Sequence, residues 1–252
     1  MFEESHVYKL SIVAKWLREA RSAVAFTGAG MSTESGIPDF RSPGGIWSTS
    51  TPVYYDEFLR SADARHEYWR QKVESHHNFA NAQPNIGHRA LAAWHHAGRL
   101  RGLITQNIDG LHQIAGSPNV LELHGTARWV ACLQCGERFE SGAMVDRFRI
   151  EGVPPTCSAC DGLLKHATIS FGQPLPHDVL EKAVQWSVEA DLFLTIGSSL
   201  VVQPAAGLPS IAKEHGARLV IINRDPTPLD RIADVIIRAS IGEVLQAIDA
   251  EL

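Results

Sequence analysis

Short apolar runs alternate with amphipathic segments along most of this chain, and that alternation restricts the fold more than any other feature. The runs lie at residues 23–26, 103–104, 120–121, 192–196, 219–222 and 235–237. Short, largely apolar runs suit strands buried on both faces. Helix-like segments separate most of them, around residues 88–97, 179–189 and 205–215, with others at 7–21 and 242–252. In the opening segment Val7, Leu10, Val13, Trp16 and Leu17 recur at helical spacing. Such alternation predicts an α/β domain on a parallel sheet.

Two stretches break the pattern. Residues 48–83 are polar, aromatic and helix-prone with no clear strand, and residues 129–167 hold every cysteine. Both read as insertions that pack together as a small second domain. Residues 1–47, 84–128 and 168–252 are left to the large domain, with a cleft between the two. A chain of 252 residues suits that division. A net charge of −5 argues against nucleic-acid binding, which needs a basic face. No apolar run is long enough to span a bilayer. Met1-Phe2-Glu3-Glu4-Ser5-His6 is acidic rather than signal-like, so a cytoplasmic setting is expected. No targeting module, partner-docking segment or oligomerisation element is read, and the oligomeric state stays open.

Cys132, Cys135, Cys157 and Cys160 form two Cys-x-x-Cys pairs. Two such knuckles suit a tetrahedral four-thiolate zinc site, and Gly136 and Gly162 after them permit tight turns. No further cysteine remains for an open position, so one structural zinc ion is expected. Iron in the same cage, disulfides and metal-free thiols are the alternatives.

Phe26-Thr27-Gly28-Ala29-Gly30-Met31-Ser32-Thr33 follows a strand. Its glycines allow close approach of a pyrophosphate, and a helix starting near Ser32 would offer N–H groups. Gly-x-Gly alone equally suits a plain strand-to-helix turn. The usual dinucleotide fingerprint fails here: Thr33 takes the third glycine's place, and no second strand ends in an acid at the expected distance. Instead a Gly- and Pro-rich loop follows from Gly36 to Trp47, carrying Asp39, Phe40 and Arg41. Such a loop can fold over a ligand. An ordinary NAD dehydrogenase is therefore disfavoured, though composition alone permits it. Gly197-Ser198-Ser199 and Asn223 also follow apolar strands, where open α/β sheets bind ligands. Turn chemistry is the plainer explanation of both.

Thr105-Gln106-Asn107-Ile108-Asp109 and Glu122-Leu123-His124-Gly125-Thr126 place polar groups at two further strand ends. With twelve histidines in the chain, any one is more often structural than catalytic. His124 stands out because Gly125 follows it at a strand end, and imidazole suits proton transfer near neutrality. No Gly-x-Ser-x-Gly elbow accompanies it.

Taken in order, these stretches, with Phe171-Gly172, make the chain resemble the sirtuin family of NAD-dependent protein-lysine deacylases. The resemblance implies a Rossmann-like parallel-sheet domain with a smaller inserted zinc-binding and helical domain, and NAD and an acyl-lysine peptide meeting between them. It also implies roles. Gly28, Ala29, Gly30, Ser198 and Ser199 would hold the phosphates and adenosine, and Asn223 the adenosine ribose. Arg224, Asp225 and Ser240 would touch the adenine end. Phe40 and Arg41 would belong to a cofactor loop, Asp109 would bind the carboxamide, and Asn107 would contact the nicotinamide ribose. Ser32, Thr33, Asp39, Gln106, Ile108 and Gly197 complete the implied cofactor set. The acyl oxygen would attack C1′ of the nicotinamide ribose as nicotinamide leaves. His124 would then act as general base on a ribose hydroxyl, giving lysine and O-acyl-ADP-ribose. The peptide would add as a strand between residues 169–172 and 201–204, touching Ile169, Phe171, Gly172 and Val201.

Family members that take acidic acyl groups carry a Tyr-x-x-Arg pair. Here the stretch reads His66-Glu67-Tyr68-Trp69-Arg70-Gln71. Aligning Arg70 with that arginine leaves Glu67 at the tyrosine, which would repel succinyl groups and favour acetyl and other neutral ones. A plain amphipathic surface helix is the alternative. Protein ADP-ribosylation, NAD hydrolysis and inactive NAD sensing are the competing functions.

Overall fold

The computed structural model describes residues 4–39, 45 and 51–252. Helix α1 (Glu4–Glu19) leads into β1 (Ala23–Thr27) and a 3-10 turn at Ala29–Ser35. Helices α2 (Tyr55–Arg60), α3 (Ala62–Ala80) and α4 (Ile86–His96) follow, then β2 (Gly102–Thr105), the short α5 (Leu111–Ile114) and β3 (Val120–Glu122). The cysteine-bearing stretch forms β4 (Gly125–Cys132), β5 (Arg138–Glu140), α6 (Ser141–Glu151) and β6 (Leu164–Thr168). The chain closes with α7 (His177–Glu189), β7 (Leu192–Ile196), α8 (Leu208–Glu214), β8 (Arg218–Ile222), β9 (Val235–Ile237) and α9 (Ile241–Asp249).

The expected parallel sheet is present, in the order β3-β2-β1-β7-β8-β9. Its strands are apolar on both faces because helices cover both. Leu10, Val13 and Leu17 of α1, Trp94 of α4 and Leu245 and Ile248 of α9 pack on Ala25, Leu103, Leu194 and Val220. Ala183 and Trp186 of α7 and Ala212 of α8 pack on Val24, Phe26, Phe193 and Ile221. Strand order reverses between β1 and β7, where open sheets leave a crevice at the strands' carboxyl ends. Thr27 pairs with both Thr105 and Ile196, so three strands end level there.

A second sheet, β5-β4-β6, is antiparallel. Phe58, Tyr68 and Trp69 pack with Val130, Val145, Phe148 and Leu164 in a separate core, so the two interrupting stretches meet. The Trp69 indole N–H donates to the Leu164 carbonyl at 3.2 Å, pinning α3 to β6. Truncating such a buried tryptophan costs about 3–5 kcal/mol.

One expectation is corrected. No α-helix starts near Ser32: the segment is a single 3-10 stretch, ended by Gly36 at φ 82°. Met31 and Ser32 are buried but no apolar stripe continues past them, so nothing stabilises further turns. No described helix is long and apolar enough to cross a membrane.

Candidate active site

At the crevice the main chain is packed more tightly than any side chain would allow. The Gly28 N–H donates to the Ile196 carbonyl at 3.0 Å, and the Gly30 N–H to the Gly197 carbonyl at 2.9 Å. A Cβ on Gly28 would lie 2.7 Å from the Gly197 oxygen, and one on Gly197, at φ +64°, would lie 2.5 Å from the Met31 nitrogen. Only glycine fits.

Beside this turn the 105–109 segment is tied down by its own polar atoms. The Asn107 amide donates to the Gly28 carbonyl at 3.0 Å and to Ser32 Oγ at 3.1 Å. Ser32 Oγ in turn donates to Asp109 at 2.7 Å, whose other oxygen accepts from the Leu111 N–H at 2.8 Å. Burial raises the Asp109 carboxyl above its ordinary range, opposed by these two bonds and by the charge on Arg128. Gln106 reaches across to Ser198 Oγ at 2.7 Å.

His124 Nδ1 lies 2.9 Å from the Gln106 carbonyl oxygen. A carbonyl only accepts, so Nδ1 carries the ring proton and Nε2 keeps its lone pair. Burial pushes the imidazole's pKa down, partly offset by that bond. A neutral, oriented base results. Two other histidines near the sheet, His88 and His112, are buried, their rings 4.7 Å apart. His112 Nε2 meets Thr27 Oγ1 at 2.9 Å, and neither residue lines the crevice.

The crevice is a cavity of about 710 Å³. Its walls include Gly28, Ala29, Gly30, Thr33, Asp39, Gln106, Asn107, Ile108 and His124, and, from the peptide set, Ile169, Phe171 and Gly172. Gly197, Ser198, Ser199, Asn223, Arg224, Asp225 and Ser240 also face it. Ser32 and Asp109 are buried behind the wall rather than in it. Val201 is half-exposed and off the cavity, whose wall passes instead through Val202 and Gln203. Phe40 and Arg41 lie outside the described residues.

At 66–71 neither Glu67 nor Arg70 is in the cavity wall. Arg70 pairs with Glu67 at 2.7 Å and with Glu74 on the exposed side of α3. Tyr68, Gln71 and Lys72 face the cavity, whereas Glu67 stands behind Gln71, whose amide donates to it at 2.8 Å. Helical spacing marks 68, 71 and 72 as one face. Glu34 was not foreseen either: it lines the cavity while its carboxylate accepts from Ser240 Oγ at 3.0 Å and the Gly242 N–H at 2.9 Å. An acid at a helix N-terminus carries no sequence signal when the helix lies 206 residues away.

The four cysteine sulfurs lie within 4.8 Å of one another, with Cys132–Cys160 and Cys135–Cys157 separations of 3.5 and 3.6 Å. Ligands at about 2.3 Å around a tetrahedral zinc would be about 3.8 Å apart. The Cys135 and Gln134 N–H groups point at Cys132 Sγ, and its thiol is lowered to about 6. The Gly162 N–H favours the Cys160 thiolate, but the neighbouring sulfurs push that thiol up to about 12. Four thiolates so close need a cation, and the set fits a structural zinc.

A model described as the Sir2 family matches residues 28–204. The chain is 52% identical over 231 residues to an NAD-dependent protein deacetylase of Rhodopseudomonas palustris, covering 91% of each. It is 42% identical over 244 residues to a protein of that name from Thermodesulfovibrio yellowstonii, covering 97% of this chain and 95% of the other. A solved structure described as Sir2-p53 peptide-NAD+ matches with a TM-score of 0.87 and 37% identity, over 95% of this chain and 97% of that one.

Proposed function

This chain belongs to the Sir2 family, and we propose from that premise that it is an NAD-dependent protein-lysine deacetylase. The observation carrying the reading is His124, whose Nδ1–H donates to a main-chain carbonyl while the ring lines the cavity. With NAD as co-substrate, departure of nicotinamide leaves an ADP-ribosyl group to receive the acyl group. The residues around it bind, orient and move a proton. Gly28, Ala29, Gly30, Ser198 and Ser199 hold phosphates and adenosine, and Asn223 the adenosine ribose. Arg224, Asp225 and Ser240 meet the adenine end. Asn107, held by Gly28 and Ser32, positions the nicotinamide ribose, and the carboxamide is the partner of Asp109. His124 accepts a ribose hydroxyl proton at Nε2. Enclosure by the walls keeps water from the electrophilic carbon.

The substrate is an acylated lysine on another protein, its backbone pairing with 169–172 and 202–203. Residues 51–83 and 129–167 form the small domain that closes the cleft, with zinc on Cys132, Cys135, Cys157 and Cys160 holding its fold. A cytoplasmic setting suits these thiols, which stay reduced there.

The test is incubation with NAD and acetyl-, butyryl- and succinyl-lysine peptides, following nicotinamide and O-acyl-ADP-ribose by mass spectrometry. Peptide-dependent product that disappears in His124→Ala is expected. Nicotinamide release without peptide, or ADP-ribose attached to protein, would replace this reading with hydrolysis or ADP-ribosyl transfer.

A further inference from the structure

A second cavity, of about 100 Å³, lies behind the wall of the first, with Lys72 and Ile108 belonging to both. By the measure in which one water needs about 10–15 Å³, it has room for several waters or one compact ion. Two cationic side chains, Lys72 and Arg128, line it together with His76, His166 and Ser141, and among the described residues no carboxylate does.

Two polar nitrogens there have no partner. Arg128 Nη2 and His166 Nδ1 are buried with no hydrogen-bond partner, and His166 is only 4% exposed. Among the described residues Lys72 forms no ion pair, and its ammonium lies 5.1 Å over the Tyr68 ring. The neighbouring Lys165 is fully buried and donates only to carbonyls, of His166 and Thr168. Burial lowers Lys72 to about 8, and burial together with the charges of Lys72 and Lys165 pushes His166 well below the usual histidine range. Acids outside the lining still reach these groups: Asp109 and Glu122 feel the Arg128 charge and Asp146 acts on His76, although Asp109 is bonded to Ser32 and Leu111 and Asp146 is paired with Arg149.

A helix end adds to the same field. Ser141 is the first residue of α6, an 11-residue helix whose N-cap, Glu140, makes no side-chain cap. A Cβ on Gly142 would lie 3.8 Å from His76 Nε2, so this uncapped turn abuts the His76 ring. Partial positive charge at a helix N-terminus, two cations and unpartnered N–H groups around one small space together complement an oxyanion.

We propose that this cavity binds a compact oxyanion of the size and charge of phosphate, held by Lys72, Arg128, His166 and the start of α6. The bound ion would be felt in the main site. Arg128 Nε donates to the Asp109 carbonyl at 2.7 Å, and its side chain packs against Gly110. An anion on Nη2 therefore steadies the turn that carries Asp109.

Inorganic phosphate would be titrated against chloride at constant ionic strength, reading the imidazole NMR signals and the thermal midpoint. Saturable shifts at His76 and His166 with a rise in midpoint are expected, at least tenfold weaker in Lys72→Met and Arg128→Met. Phosphate at the glycine turn would move His124 instead, which localises the response. Should a methionine variant not fold, Ser141→Asp supplies a carboxylate to the cavity and is expected to abolish the response with both cations in place. No saturable shift at His76 and His166, or an unchanged one in these variants, would mean the cavity holds water and overturn the proposal.

Discussion

Where β1 and β7 end, Gly28, Gly30 and Gly197 touch backbone to backbone, and the local hydrogen bonds are satisfied within the chain. Where the cysteine knuckles meet, four sulfurs crowd together, and nearby Arg128 and His166 keep polar atoms without partners. The first region is complete on its own because absent side chains shape it. The second gathers four thiols that a bound cation would balance. A strand-end turn of this kind is ready for its ligand once the sheet forms, whereas the small sheet depends on what it binds.

Stripping the metal should separate the two regions most sharply. Structural zinc stabilises small zinc-finger peptides by roughly 10–16 kcal/mol, so chelation is expected to unravel β4–β6 and the core around Trp69. Hydrogen exchange would show residues 129–168 losing protection while 192–196 and 219–222 keep theirs; simultaneous loss would break the comparison. Next in size is His124→Ala, expected to slow acyl transfer about 10²–10⁴-fold with the thermal midpoint little changed. Because burial lowers its pKa from 6.5, and the base acts when neutral, the rate should be level above pH 6.5 and fall only as pH drops through the lowered value. An acid limb centred above 6.5 in kcat/KM would contradict this.

Two glycines sharpen the contrast at smaller scale. Gly197→Ala adds a clash to a strained φ and should cost more than the ~1–3 kcal/mol of backbone strain alone. Gly136→Ala, at φ +78° in the first knuckle, meets nothing within 4 Å and should show only the strain. Chemical denaturation of both variants would rank them, and equal losses would mean that close approach is unimportant at the turn. Smallest of all is Glu67→Gln, which is expected to leave the ratio of succinyl to acetyl turnover unchanged, since Glu67 pairs with Arg70 on the outer face.

The parallel sheet was legible because strands covered on both faces are mostly apolar, as Leu192, Phe193, Leu194 and Ile196 are. The antiparallel sheet was not: β4 alternates buried and open positions irregularly across a register shift, so no period stands out. At the site, short polar runs after strands located the glycine turn, Asn107 and His124. They did not tell which of two adjacent residues faces inward. In extended chain neighbours point oppositely, and a shift of one exchanges Val201 for Val202. On α3 a similar slip of phase exchanged Glu67 and Arg70 for Tyr68, Gln71 and Lys72.

Gln106 serves the site through two different parts of itself. Its side chain holds Ser198, and its carbonyl fixes the His124 ring. Mutation reaches the first part and not the second, since every amino acid brings the same carbonyl. Position 106 is therefore a place where drift or design can retune the nucleotide end of the cleft while the tautomer of the base is inherited unchanged. Only a substitution that moves the strand end itself would disturb it.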